Sequence, residues 1–154
     1  MADSFGLPFL QAALDHPAAA DHDLSYDDRS SFSLPVNHRE TDTGITDEDR
    51  SLTIRELAAA AADPGGTEFA AEFRSPGHVH ILRGARELLA DRQGHTELGL
   101  ALADAAGAAP AVVVCEMLDD ETNTALSPAD AAAYAADHGI PYVEGADLVD
   151  RFVR

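Results

Sequence analysis

The run Arg92-Gln93-Gly94-His95-Thr96-Glu97 sets a guanidinium, an amide, an imidazole and a hydroxyl around one glycine, directly ahead of a stretch with helical periodicity. A helix start offers unpaired N–H groups and a partial positive charge, so these residues form a candidate site for an anion such as a phosphate. By pattern alone the simpler reading is that Thr96 caps the helix and Arg92 lies in solvent, because short glycine-containing turns before helices are common. Glu116 follows the apolar run Ala111-Val112-Val113-Val114-Cys115. At the end of a buried parallel-type strand facing a crevice it would be suited to proton transfer, whereas at a strand end in solvent it would have no such role. His78 and His80 alternate and so share a strand face; with His95 they suggest a three-histidine metal site, although the sequence does not fix their separation. The polar segments Asn37-His38-Arg39-Glu40 and Thr41-Asp42-Thr43-Gly44-Ile45 read as a connection between a strand and a helix, with a binding loop as the other reading. Cys115 reads as a small core residue and not as a nucleophile, since a thiolate inside an apolar strand is costly. His16, His22 and His138 read as surface residues.

The elements that must position these groups alternate between strands and helices. Residues 8–15 form a short helix and Pro17 to Arg29 an irregular polar segment. Ser31 to Val36 is a strand with apolar residues at every second position, and Pro35 places it at an edge or a bulge. Thr46 caps a helix with Asp47, Glu48 and Asp49 in its first turn and Leu52, Leu57 and Ala61 at helical spacing, ended by Asp63-Pro64-Gly65-Gly66. Phe69 and Phe73 share a buried face; Ser75-Pro76-Gly77 then breaks the chain before a strand over His78 to Leu82. A helix follows from about Thr96 to Ala106, with Gly107 past its end. Ala111 to Cys115 reads as a central strand covered on both faces. Ser127, Pro128 and Asp130 open a helix that Gly139 stops, Pro141-Tyr142-Val143 is a short strand, and Ala146 to Val153 is a last helix. No repeat of solenoid length is present, and the alternation points to a layered α/β domain with a mixed sheet over residues 1–154.

Composition narrows the partners. The formal charge is -18, and all ten basic residues are arginine. Such a surface repels nucleic-acid phosphates and anionic lipid, which excludes both as favourable partners. Dense Asp and Glu with no Lys suits a halophilic cytoplasm, where repulsion is screened over about 3 Å at 1 M salt, and in dilute buffer the same repulsion should loosen the fold. The single cysteine has no disulfide partner in the chain, in keeping with a reducing, cytoplasmic setting. No apolar stretch approaches the roughly 18 residues of a membrane span, and the first residues have no signal-like basic and apolar regions.

Taken in order, five stretches resemble the 3,4-dihydroxy-2-butanone 4-phosphate synthase family over about residues 29–145: Ser30-Ser31-Phe32-Ser33; Thr43-Gly44-Ile45 with Asp49-Arg50 and Thr53-Ile54; Phe73-Arg74-Ser75-Pro76-Gly77-His78-Val79; Arg92 to Glu97; and Cys115-Glu116-Met117. The resemblance implies an α/β homodimeric lyase of riboflavin biosynthesis. Such an enzyme uses Mg²⁺ or Mn²⁺ to convert D-ribulose 5-phosphate into L-3,4-dihydroxybutan-2-one 4-phosphate and formate. It also implies that Arg92, Gln93, Gly94, His95 and Thr96 bind substrate, that His95 ligates the metal, and that His78 and Glu116 are catalytic. Family members carry an N-terminal acidic loop with an Arg-Glu pair, then a Gly-Gly-Leu-Ile-Cys segment, and neither occurs in this sequence. The expectation is therefore the C-terminal portion of such a domain, with little or no synthase activity; the alternative is a non-catalytic relative that binds sugar phosphates.

Overall fold

The computed structural model describes residues 3–19 and 31–153. His22, Ser30 and most of the polar stretch expected between Pro17 and Arg29 lie outside the described residues. The elements run in the order α1 (Leu10–Ala13), β1 (Phe32–His38), α2 (Asp47–Ala62), α3 (Phe69–Glu72), β2 (Phe73–Leu82), α4 (His95–Ala105), α5 (Pro128–His138) and α6 (Gly145–Phe152). Short 3-10 turns add Pro17–Ala19 and Leu88–Ala90.

β1 and β2 form an antiparallel pair, and its irregularities follow from the sequence. Pro35 cannot donate to a ladder, and a register shift falls between Phe32 and Pro35. The second shift is larger: Val36 pairs with Val79 while Asn37 pairs with Arg74, so the Ser75-Pro76-Gly77-His78 stretch bulges between them. The chain is therefore not broken at Ser75-Pro76-Gly77. β2 begins at Phe73 and passes through that stretch by way of a cis Ser75–Pro76 peptide. β1 also continues past Val36, so Asn37 and His38 are buried strand residues and not part of a connection. On β1 Val36 is buried as the alternation expects, but Phe32 is exposed, and Ser33 is buried with its hydroxyl donating to the Pro8 carbonyl at 2.6 Å. The N-terminal segment covers Ser33 and overrides the alternation at the start of the strand.

α2 forms as its sequence requires. The Thr46 hydroxyl accepts from the Asp49 N–H at 3.1 Å, the acidic first turn complements the helix dipole, and Leu57 and Ala61 are buried. This helix packs on both strands and closes a core of Leu7, Val36, Leu57, Ala60, Phe73 and Ile81. Phe69 and Phe73 stack with ring centroids 4.5 Å apart. A second, smaller core of Leu89, Ala101 and Leu148 joins α4 to α6. α5 opens with the Ser127 hydroxyl accepting from the Asp130 N–H at 3.2 Å, and Gly139 ends it in the left-handed conformation.

Three expectations fail downstream of α4. Ala111 to Cys115 forms no strand; Val112, Val113 and Val114 are exposed, as is Cys115, which is therefore not a core residue. Pro141-Tyr142-Val143 is likewise irregular and exposed. A strand needs a neighbour to satisfy its N–H and C=O groups, and β1 and β2 pair only with each other among the described residues. The sheet of the expected α/β class is thus a two-stranded antiparallel pair, and the only other pairing among the described residues is an isolated antiparallel bridge between Leu118 and Ala125.

Candidate functional site

Beside the first core, with Leu57 and Ile81 in its lining, lies a groove of about 600 Å³. Its walls include consecutive residues His78 to Gly84 on one side and Pro110 to Val114 on another, with Arg50 and Ile54 of α2 and Thr96 of α4. His78 and His80 both line it, as do Val79 and Ile81 between and beyond them; the two histidines share the exposed face of β2. His95, Arg92 and Glu116 do not line it, and His95 and Glu116 are exposed. Of the residues that the family resemblance assigns to the site, His78 and Thr96 line this cavity, and the three histidines His78, His80 and His95 form no cluster that could hold a cation. Among the described residues no cluster of three or more His, Cys, Asp or Glu side chains is placed to hold a metal.

The 92–97 turn is built differently from the sequence expectation. α4 starts at His95, one residue earlier, so Gly94 is its N-cap and Thr96 lies inside the first turn. No side chain caps this start, and its first-turn N–H groups lack intrahelical partners. The Arg92 Nη1 donates to Glu97 Oε2 at 2.8 Å, and the other Glu97 oxygen accepts from the Ala85 N–H at 2.9 Å. Gly94 is needed because a Cβ there would lie 2.0 Å from Arg92 Nη1; it gives room to the guanidinium. Glu97, 1% exposed, was legible only as the last letter of the motif, yet it orients the arginine. A signal was present: an acid and a base of opposite charge flank the glycine on a helix start.

The Thr41 to Ile45 loop is held on α2 by one carboxylate. Asp49 Oδ2 accepts from the Gly44 N–H at 2.8 Å and, at longer range, from the Thr43 hydroxyl, while Oδ1 makes a longer contact with the Asp42 N–H. Arg74 Nη2 donates to the Thr41 hydroxyl at 3.2 Å and the Asp42 carbonyl at 3.1 Å. The Gly44 N–H, aided by the Asp42 N–H and the Thr46 and Thr43 hydroxyls and opposed by partial desolvation, holds the Asp49 carboxyl below the usual carboxylate range. A depressed folded-state pKa means that the loop's anchoring is complete above the ordinary value of about 4 and is lost as pH falls through the depressed one. Amide exchange at Gly44 should therefore stay slow, relative to the acid-quenched intrinsic rate, until pH drops below about 4. In Asp49→Asn it should be fast at neutral pH as well.

Asn37 is the residue that sequence patterning missed. It is 3% exposed, its Oδ1 accepts from the His78 backbone N–H at 2.8 Å, and its Nδ2 lies 3.3 Å from His78 Nδ1. The clue was its position directly after a strand of matched polarity, which a strand one turn of pleat longer would have buried.

These features sit inside a sequence whose relatives are known. A family model described as 3,4-dihydroxy-2-butanone 4-phosphate synthase matches residues 1–151. The chain belongs to this family. A protein of that name from Archaeoglobus fulgidus is 47% identical, over 98% of this chain and 68% of the relative. Another from Methanosarcina acetivorans is 50% identical over 86% of this chain, and there the match spans 55% of the relative's length. The solved 3,4-dihydroxy-2-butanone 4-phosphate synthase of Candida albicans superposes with a TM-score of 0.78 at 29% identity, covering 99% of this chain and 67% of that one. A further structure of the family, described as a complex with two magnesium ions, shares the fold at 24% identity and a TM-score of 0.72, over 97% of this chain and 68% of its own. No helix among the described residues is long and apolar enough to cross a membrane.

Proposed function

We propose that this chain carries the phosphate-binding turn and the proton-transfer side chains of a 3,4-dihydroxy-2-butanone 4-phosphate synthase, acting on D-ribulose 5-phosphate in riboflavin biosynthesis. The observation that carries this reading is the uncapped start of α4, whose Thr96 lines the same groove as His78. The N–H groups of the first turn, with the Thr96 hydroxyl, would receive the phosphate, while the Arg92–Glu97 pair fixes the turn. Gln93, Gly94 and His95 complete the turn around that phosphate. A sugar phosphate held there extends into the groove past His78, which would move or hold a proton as the carbon beside the ketone enolises. Glu116 follows the Pro110–Val114 wall of the groove and is assigned the second proton transfer by resemblance.

The donor set does not fit a resident cation. A hard divalent ion takes several oxygen ligands, and among the described residues His95 stands without a cluster around it. The family resemblance makes His95 one ligand to Mg²⁺ or Mn²⁺, and the described residues around it do not complete a shell. The same observation favours a second reading, a sugar-phosphate binder without turnover. We also read the chain as one domain that pairs as a homodimer in the cytoplasm, and its acidity as halophilic.

Formate release from ribulose 5-phosphate with Mg²⁺, run alongside calorimetry, separates the readings. We expect measurable binding with little formate from this chain, against ready turnover by the Archaeoglobus fulgidus relative. Turnover equal to the relative's would contradict the incomplete metal shell, and absence of any binding would remove both readings.

A further inference from the structure

The Asn37 side chain touches His78 twice, and the two contacts together bear on which ring nitrogen carries the proton. Asparagine oxygen and nitrogen are ordinarily hard to tell apart, and a histidine tautomer is ordinarily an assignment. Here one partner is a backbone N–H, which can only donate, so the amide atom 2.8 Å from it must be the oxygen. That places the NH₂ group against His78 Nδ1 at 3.3 Å, and a donor there requires Nδ1 to be the accepting, unprotonated nitrogen. The amide cannot turn away easily. Asn37 is 3% exposed, and the loop backbone closes over it so tightly that a Cβ at Gly44 would lie 1.9 Å from Nδ2.

We propose that Asn37 is a positioning residue that holds His78 as the neutral Nε2–H tautomer. The ring's other nitrogen, Nε2, is then a hydrogen-bond donor and not a free lone pair, on a residue that lines the groove. In the proposed reaction this suits His78 to polarise the ketone oxygen of the sugar phosphate as the neighbouring carbon loses its proton to another group. The chemical meaning rests on the proposed function, while the tautomer itself does not.

The test uses the whole chain labelled with ¹⁵N in its histidine rings. At neutral pH the His78 δ1 nitrogen should resonate as an unprotonated ring nitrogen and ε2 as a protonated one. In Asn37→Asp, where the carboxylate still accepts from the His78 N–H but has no proton for the ring, the pattern should reverse. Asn37→Ala, which removes both contacts at once, should release the ring from the single tautomer toward a mixture and serves as the second variant if Asn37→Asp fails to fold. A protonated δ1 nitrogen in the unaltered chain, or a pattern that neither variant moves, would overturn the proposal. Where turnover is measurable, Asn37→Asp should lower kcat by on the order of a hundredfold with KM changed far less. If the tautomer responds as described and His78→Ala leaves formate release intact, the role assigned to His78 in the reaction fails and the Asn37 lock stands.

Discussion

Replacing Arg92 with methionine should destabilise the folded chain by about 3–5 kcal/mol, the cost of leaving a buried carboxylate without its counter-ion. The arginine side chain is 18% exposed and Glu97 is 1% exposed, so neither water nor another cation readily replaces the lost contact. Glu97→Gln alone should cost less, because the Ala85 N–H keeps an acceptor. The double variant should recover most of the loss, since removing both charges removes the desolvation problem along with the attraction. Urea unfolding of the two single variants and the double variant measures these terms; independent, additive losses would mean that the pair is not coupled. The result also bears on ligand binding. A fall in ribulose 5-phosphate affinity in an Arg92 variant must be corrected for the fraction unfolded before it is read as a lost phosphate contact.

A second large effect is expected at Gly77. A Cβ there would sit 1.9 Å from the Val36 carbonyl carbon and 2.3 Å from the Asn37 nitrogen, both backbone atoms of the paired strand. No side-chain rotation relieves such a clash, so Gly77→Ala must push β1 and β2 apart at the bulge that seats His78 opposite Asn37. We expect a loss of about 3 kcal/mol or more and a change in the His78 ring signals. Gly107→Ala provides the comparison. Its φ is +63° with nothing near its Cβ, so only the left-handed conformation is strained and the cost should be about 1–2 kcal/mol. Equal losses at the two positions would mean that the close approach at Gly77 is not what matters there.

The contrast between what patterning foretold and what it did not has a physical basis. Thr46, Ser127 and Gly139 were legible because caps are local: each acts within a few residues, and each stands where its chemistry places it. The stacking of Phe69 on Phe73 and the irregularity at Pro35 were legible for the same reason. Ala111 to Cys115 failed because an apolar run states only that it can be buried, while strand formation depends on a partner edge supplied from elsewhere. The candidate site divides along the same line. Gly94 and the helix start were visible as a local motif. The burial of Glu97 was not, because it depends on Ala85 reaching across the turn. Asn37 escaped because its partner, His78, is 41 positions away and meets it only through the bulged pairing of the strands.

The central claim is that the start of α4 receives the phosphate of ribulose 5-phosphate. Its most direct test is a ¹H–¹⁵N titration of the chain with that sugar phosphate, repeated with inorganic phosphate as competitor. The account predicts saturable shifts at the backbone amides of His95, Thr96 and Glu97, accompanied by a response at His78 with the sugar phosphate but not with phosphate alone. Shifts that leave residues 92–97 untouched, or that appear only on remote parts of the surface, would contradict it.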